Sequence, residues 1–138
     1  MSELIRFGVS IEYKLLDRFD SLISGRGYKN RSEAIRDLIR NELVQEEWKS
    51  DESEAVGTIT IIYDHHMREL THNLTHVQHQ YTAQIISTTH IHLDHDNCLE
   101  ILAVKGKTCT IRKIADQLIS TKGVKHGKLV MTTSGISV

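Results

Sequence analysis

The chain has 138 residues, 39% hydrophobic and 25% charged, with a formal net charge of −1. That composition belongs to a soluble globular protein of one domain or two small ones. The near-zero charge excludes a bulk cationic field as the basis of any nucleic-acid binding. No apolar run approaches the ~20 residues that span a bilayer, and the opening MSELIRFGVS lacks a secretory pattern. Two cysteines, Cys98 and Cys109, make no disulfide framework, so a reducing, cytoplasmic setting is expected.

Residues 4–10 alternate, with Ile5, Phe7 and Val9 on one side and Leu4, Arg6, Gly8 and Ser10 on the other, the pattern of a short strand. Leu15, Leu16, Phe19, Leu22 and Ile23 recur at helical spacing up to Gly25-Arg26-Gly27, a helix stop. Asn30 followed by Glu33 reads as an N-cap with a capping-box partner. Ala34, Ile35, Leu38, Ile39 and Leu43 form a second apolar stripe. A lone strand and two one-striped helices bury too little to stand alone, so this unit is expected to dimerise through its strand.

The first domain is set at residues 1–48 and a polar linker at 49–54 (Lys-Ser-Asp-Glu-Ser-Glu). The second domain, 55–138, reads as a strand at 55–63, a helix at 66–80 and strands from Ile85 to Leu93 and Cys98 to Lys105. A helix at 108–121 and a last strand from Val124 to Thr132 complete it. The order βαββαβ is the ferredoxin-like arrangement, giving an α+β chain.

The run TTHIHLDHDNC carries His90, His92 and Cys98. A His-x-His pair on a strand puts both rings on one face, with Cα atoms about 6.6 Å apart. Leu93 to Asn97 reads as a tight turn, and its odd length would return Cys98 opposite His92. Two imidazoles and a thiolate suit a soft or borderline divalent metal, with nickel, copper and zinc all open on ligand type. All nine histidines follow residue 64. Glu100, two residues beyond Cys98, either holds the second nitrogen of a ligand imidazole or is a surface acid beside the hairpin.

The helix opening GYKNRSEAIRD (27–37), followed by HIHLDHDNCLE (90–100) and KGVKHGKL (122–129), resembles the nickel-responsive transcriptional regulators of the NikR type across essentially the whole chain. The resemblance implies an N-terminal ribbon-helix-helix DNA-binding unit and an ACT-like C-terminal domain. It implies one Ni(II) per subunit held by His90, His92 and Cys98, with His79 supplied by a neighbouring subunit. The assembly implied is a homotetramer, a dimer of dimers, and the partner is double-stranded operator DNA.

The family's base-contacting triplet falls on Arg6, Gly8 and Ser10. Arg6 can contact guanine through two hydrogen bonds, worth ~1–3 kcal/mol of discrimination. Gly8 departs from the hydroxyl residue often found there. Asn30, Arg31 and Ser32 begin the second helix, whose free N–H groups suit a phosphate. Arg68 matches a position that contacts the DNA backbone. Glu33 and Asp37 match positions that help bind a second cation.

The function implied is nickel-dependent repression of nickel-uptake genes, not catalysis. A zinc hydrolase would need an open coordination position and a placed acid or base, and four protein ligands leave no such position. A ribbon-helix-helix repressor or antitoxin answering to a small molecule, copper or zinc is the alternative. Residues His65, His66, His95, His126 and Cys109 receive no firm role, although His65 or His95 could serve a weaker or transfer site.

Overall fold

The apolar spacing of Leu16, Phe19 and Ile23 winds helix α1 (Tyr13–Gly25) in the computed structural model, which describes residues 3–138. α1 stops at its glycines: Gly27 takes φ 84°, and the Tyr28 N–H donates to the Ile23 carbonyl at 3.0 Å. That left-handed end costs glycine no Cβ clash. Helix α2 (Arg31–Lys49) opens on Asn30, whose Oδ1 accepts the Glu33 N–H at 2.9 Å, as expected of an N-cap.

The chain forms two compact units, Met1–Asn41 and Glu42–Val138. Within the first, Ile23 and Ala34 are the buried hydrophobics among the described residues, while Leu4, Ile5, Phe7, Val9, Leu15 and Leu22 stay exposed. Residues 3–12 differ from the expected strand at 4–10: they form no hydrogen-bonded ladder and are exposed throughout. A strand exists by virtue of a neighbouring strand, and this stretch has none within a single chain.

The second unit holds β1 (Glu54–Asp64), α3 (Arg68–Gln80), β2 (Ile85–His92), β3 (Asn97–Lys107), α4 (Thr108–Ile119) and β4 (Val124–Thr132). The βαββαβ order is the expected one, and its four strands form one antiparallel sheet in the order β2-β3-β1-β4. Strict alternation buries Ala55, Ile59, Ile61 and Tyr63 of β1 and Cys98, Glu100, Leu102 and Val104 of β3. Leu70 and Leu74 of α3 and Ile111, Ile114 and Leu118 of α4 share the same core.

The stretch read as a polar linker at 49–54 is tied down. α2 continues to Lys49, and Trp48 is buried in the core of the second unit, its Nε1 donating to the Thr132 carbonyl at 2.9 Å. The carbonyls of Ser53 and Asp51 accept the N–H groups of Thr108 and Cys109 at 3.0 and 3.3 Å. Those are donors that the first turn of α4 would otherwise leave unpaired. Polar composition identified a linker but not the carbonyls that make it a cap.

Candidate metal centre

The β2–β3 hairpin pairs His92 with Cys98 and His90 with Glu100. Directly opposite residues of an antiparallel pair share a face, so all four side chains lie on one side of the sheet. The turn that sets this register is pinned by Asp94. Its Oδ1 accepts the N–H groups of Asp96 and Asn97 at 2.9 and 2.8 Å, and Asn97 Nδ2 at 3.1 Å. Those bonds hold the Asp94 carboxyl down at about 2, because each favours the charged form.

Cys98 Sγ lies 3.5 Å from His92 Nδ1. Ligand atoms about 2.0–2.3 Å from one ion stand roughly 3–3.7 Å apart, so this pair can be bridged without rearrangement. Burial, reinforced by the Glu100 carboxylate, pushes the Cys98 thiol up, so the metal-free form holds a protonated, sheltered sulfur.

His90 is turned toward its support. Its Nε2 approaches the Tyr63 hydroxyl and lies 3.2 Å from Glu100 Oε2. Glu100 is 3% exposed, and it accepts the Tyr63 hydroxyl at 3.0 Å and Gln78 Nε2 at 2.8 Å. Burial is the main cause that drives the Tyr63 phenol upward, with Glu100 adding to it. With an Nε2 proton facing the carboxylate, the lone pair of His90 resides on Nδ1, the nitrogen left for a metal. The donor set fits a borderline divalent ion such as nickel: a thiol, two imidazoles and a carboxylate placed to orient one of them.

The chain by itself brings a different third ligand to the thiol. His65, His92 and Cys98 offer ligand atoms within 4.8 Å of one another. The His65 ring meets His92 edge-on at 5.0 Å, and its Nδ1 is buried without a hydrogen-bond partner. His79 is exposed on α3 and belongs to none of the metal-competent clusters among the described residues.

Sequence reasoning gave no part to Tyr63 or Gln78 and no firm one to His65. Tyr63 had a signal, since a hydroxyl at a buried strand position needs an acceptor. His65 and Gln78 had none, because their placement depends on how β1 and α3 meet the hairpin.

The residues assigned to DNA lie elsewhere in the chain. Arg6, Gly8 and Ser10 are exposed in the stretch without a ladder. Asn30 caps α2 through its side chain, and Ser32 is exposed on the first turn. The Arg31 guanidinium is held by both oxygens of Asp20, each bond 2.8 Å. Asp37 accepts the Tyr28 hydroxyl at 2.6 Å, while Glu33 is exposed. Arg68 opens α3 and lines an open depression with His65, His66, Thr71, His72 and Thr75, a lining without a carboxylate.

Comparison with known proteins shows the family. Residues 2–46 match the model of ribbon-helix-helix proteins of the copG family, and residues 56–132 match that of the NikR C-terminal nickel-binding domain. Relatives named as nickel-responsive regulators include proteins of Solibacter usitatus (62% identical), Geobacter sulfurreducens (59%) and Pelobacter propionicus (58%). In each case the match covers 98% of this chain and 97% of the relative. An uncharacterized protein of Thermotoga maritima shares the fold over 59% of this chain and all of its own, with a TM-score of 0.54 at 16% identity. The chain belongs to the family of nickel-responsive transcriptional regulators of the NikR type, with a ribbon-helix-helix DNA-binding region ahead of a nickel-binding domain, and is a regulator rather than an enzyme.

Proposed function

We propose that this chain is a cytoplasmic repressor of nickel-uptake genes that binds operator DNA when each subunit holds one Ni(II). The observation that carries this reading is the His92–Cys98 pairing, with Nδ1 and Sγ 3.5 Å apart on the hairpin that also displays His90. In the proposed site His90, His92 and Cys98 bind from one subunit and His79 from a neighbour. The exposure of His79 and its separation from the in-chain clusters support that division. Bound nickel supplies a fixed junction between subunits of a dimer-of-dimers tetramer.

The N-terminal units form ribbons that enter the major groove, where Arg6 and Ser10 address base edges and Gly8 allows close backbone approach. Asn30, Arg31 and Ser32 meet phosphate through main-chain N–H groups, since the Arg31 guanidinium is already held by Asp20. Arg68 adds a phosphate contact from the C-terminal domain. Glu33 and Asp37 take a second cation when DNA is bound. Holding a metal between subunits would favour the arrangement in which both ribbon units reach their half-sites, and joining two such modules raises avidity.

A second reading follows from the in-chain cluster of His65, His92 and Cys98, a three-ligand set that zinc accepts in tetrahedral geometry. Nickel loading followed by sedimentation, metal counting and absorption spectroscopy separates the two. The nickel reading expects one nickel per chain in a tetramer and a square-planar thiolate spectrum that collapses in His79→Ala. The same spectrum retained in His79→Ala and lost in His65→Ala would overturn the shared-site assignment.

A further inference from the structure

We propose that Arg112 positions α2 for nickel-controlled DNA binding by clamping the last turn of that helix, at Trp48, onto the metal-binding domain, a role that rests on the nickel-regulator reading above. The Arg112 guanidinium lies over the Trp48 ring, 5.7 Å from its centroid, and one of its nitrogens donates to the Trp48 carbonyl. Its other terminal nitrogen stands 3.7 Å from Asp51 Oδ1. A single side chain thus meets the ring, the main chain and the following turn of one stretch. Those contacts suit a guanidinium, whose planar fork serves two acceptors while its face covers an aromatic ring. The carbonyl it takes is one that the end of a helix leaves unpaired, at the pole that favours a cation. Every residue of the clamp belongs to the second unit, Glu42–Val138.

The clamp grips a helix that serves both domains. α2 runs from Arg31 to Lys49, so it starts in the ribbon-helix-helix region, residues 2–46, and its last turn is held by α4. No glycine or proline interrupts it, and sharp bends in helices form at such residues. The polar turn at 50–53 lies beyond the clamp and is itself tied to the start of α4. Thr108 Oγ1 donates to the Ser50 carbonyl, and Lys107 Nζ donates to Glu52 Oε2 at 2.7 Å. A shift within the metal-binding domain therefore reaches α2 through Arg112 and the apolar contacts of Val44 and Trp48, with no slack segment between. Arg112 is only partly covered and Asp51 is exposed, so removing the guanidinium strands no buried charge.

Trp48 is the only tryptophan of the chain, so its fluorescence reports on the clamp directly. The test uses full-length wild-type, Arg112→Ala and Lys113→Ala proteins, Lys113 being an exposed cation one residue along α4. Acrylamide quenching of Trp48, competitive nickel titration, and the anisotropy of labelled operator DNA selected from random sequences are measured on each. Arg112→Ala is expected to raise the quenching and to keep nickel affinity within about twofold of wild type, while the nickel-induced tightening of operator binding falls about fivefold or more, the low end of an allosteric coupling. Lys113→Ala keeps the full tightening. Quenching that stays at the wild-type level in Arg112→Ala overturns the proposal. So does a loss of tightening matched by a parallel loss of nickel affinity, or one reproduced by Lys113→Ala. A wild type without nickel-dependent binding sinks the nickel reading and this role with it, whereas wild-type tightening that persists in Arg112→Ala sinks this role alone.

Discussion

His92 and Cys98 stand opposite each other across the β2–β3 hairpin, with Nδ1 and Sγ 3.5 Å apart. The spacing follows from register: a five-residue turn closed on Asp94 returns the chain so that the sixth residue after His92 faces it. The sulfur is buried and the imidazole exposed, so the pair joins the protein core to its surface at one point.

The buried carboxylate behind this pair makes the first prediction. Glu100→Ala removes the acceptor of the Tyr63 hydroxyl and the Gln78 amide and the support of His90. Losing the carboxylate that accepts the Tyr63 hydroxyl, which then keeps only His90 Nε2 beside it, costs about 1–3 kcal/mol of stability. Nickel affinity falls about 10–100-fold, the usual effect of losing a group that orients a ligand histidine. Denaturant unfolding and competitive nickel titration measure the two effects separately.

Nickel affinity depends on pH through Cys98. Burial, with help from Glu100, raises the thiol above its ordinary value, so it is protonated at neutral pH, whereas the metal needs the thiolate. Binding therefore releases a proton, and apparent affinity rises with pH by up to about tenfold per unit below the thiol's own titration. Competition titrations at several pH values, with proton release followed by calorimetry in buffers of different ionisation enthalpy, check the sign.

Asp94 titrates in the opposite sense. Its folded carboxyl is held at about 2, against an ordinary value near 3.8. Its contribution to stability is therefore present above that ordinary value and disappears as pH falls toward about 2. The amides of Asp96 and Asn97 should report this titration by NMR. Asp94→Ala should speed their hydrogen exchange and weaken nickel binding, because the register that pairs His92 with Cys98 loses its clamp.

Trp48 tests the anchoring of the last turn of α2. It is 1% exposed and bonds to the Thr132 carbonyl, with the Arg112 guanidinium over its ring at 5.7 Å. Trp48→Ala should cost about 3–5 kcal/mol, as deletion of a large buried aromatic does. Trp48→Phe should cost less, chiefly the hydrogen bond at about 1 kcal/mol. Urea unfolding of the full chain measures both.

Much of this was legible in the sequence because period carries it. The β-branched run from Ala55 to Tyr63, and helical spacing of Ile111, Ile114 and Leu118, gave the βαββαβ order that the structure has. The His92–Cys98 pairing followed from counting turn residues. What local pattern could not supply was contact between segments far apart in sequence. Trp48 read as the last residue of the first domain, yet it fills the second unit's core beside Gly57. His65 read as one of nine histidines, yet the β1–α3 corner carries it to the thiol. The strand at 4–10 shows no ladder within one chain, since the pairing expected of it is with the same strand of a second chain.

The central claim is that metal at the hairpin thiol controls DNA binding. It is tested most directly by the anisotropy of labelled operator DNA, selected from random sequences, during nickel titration of the wild-type and Cys98→Ala proteins. The account predicts tight, nickel-dependent binding by the wild type and no nickel response in Cys98→Ala. Equal nickel-dependent binding by both proteins would contradict it.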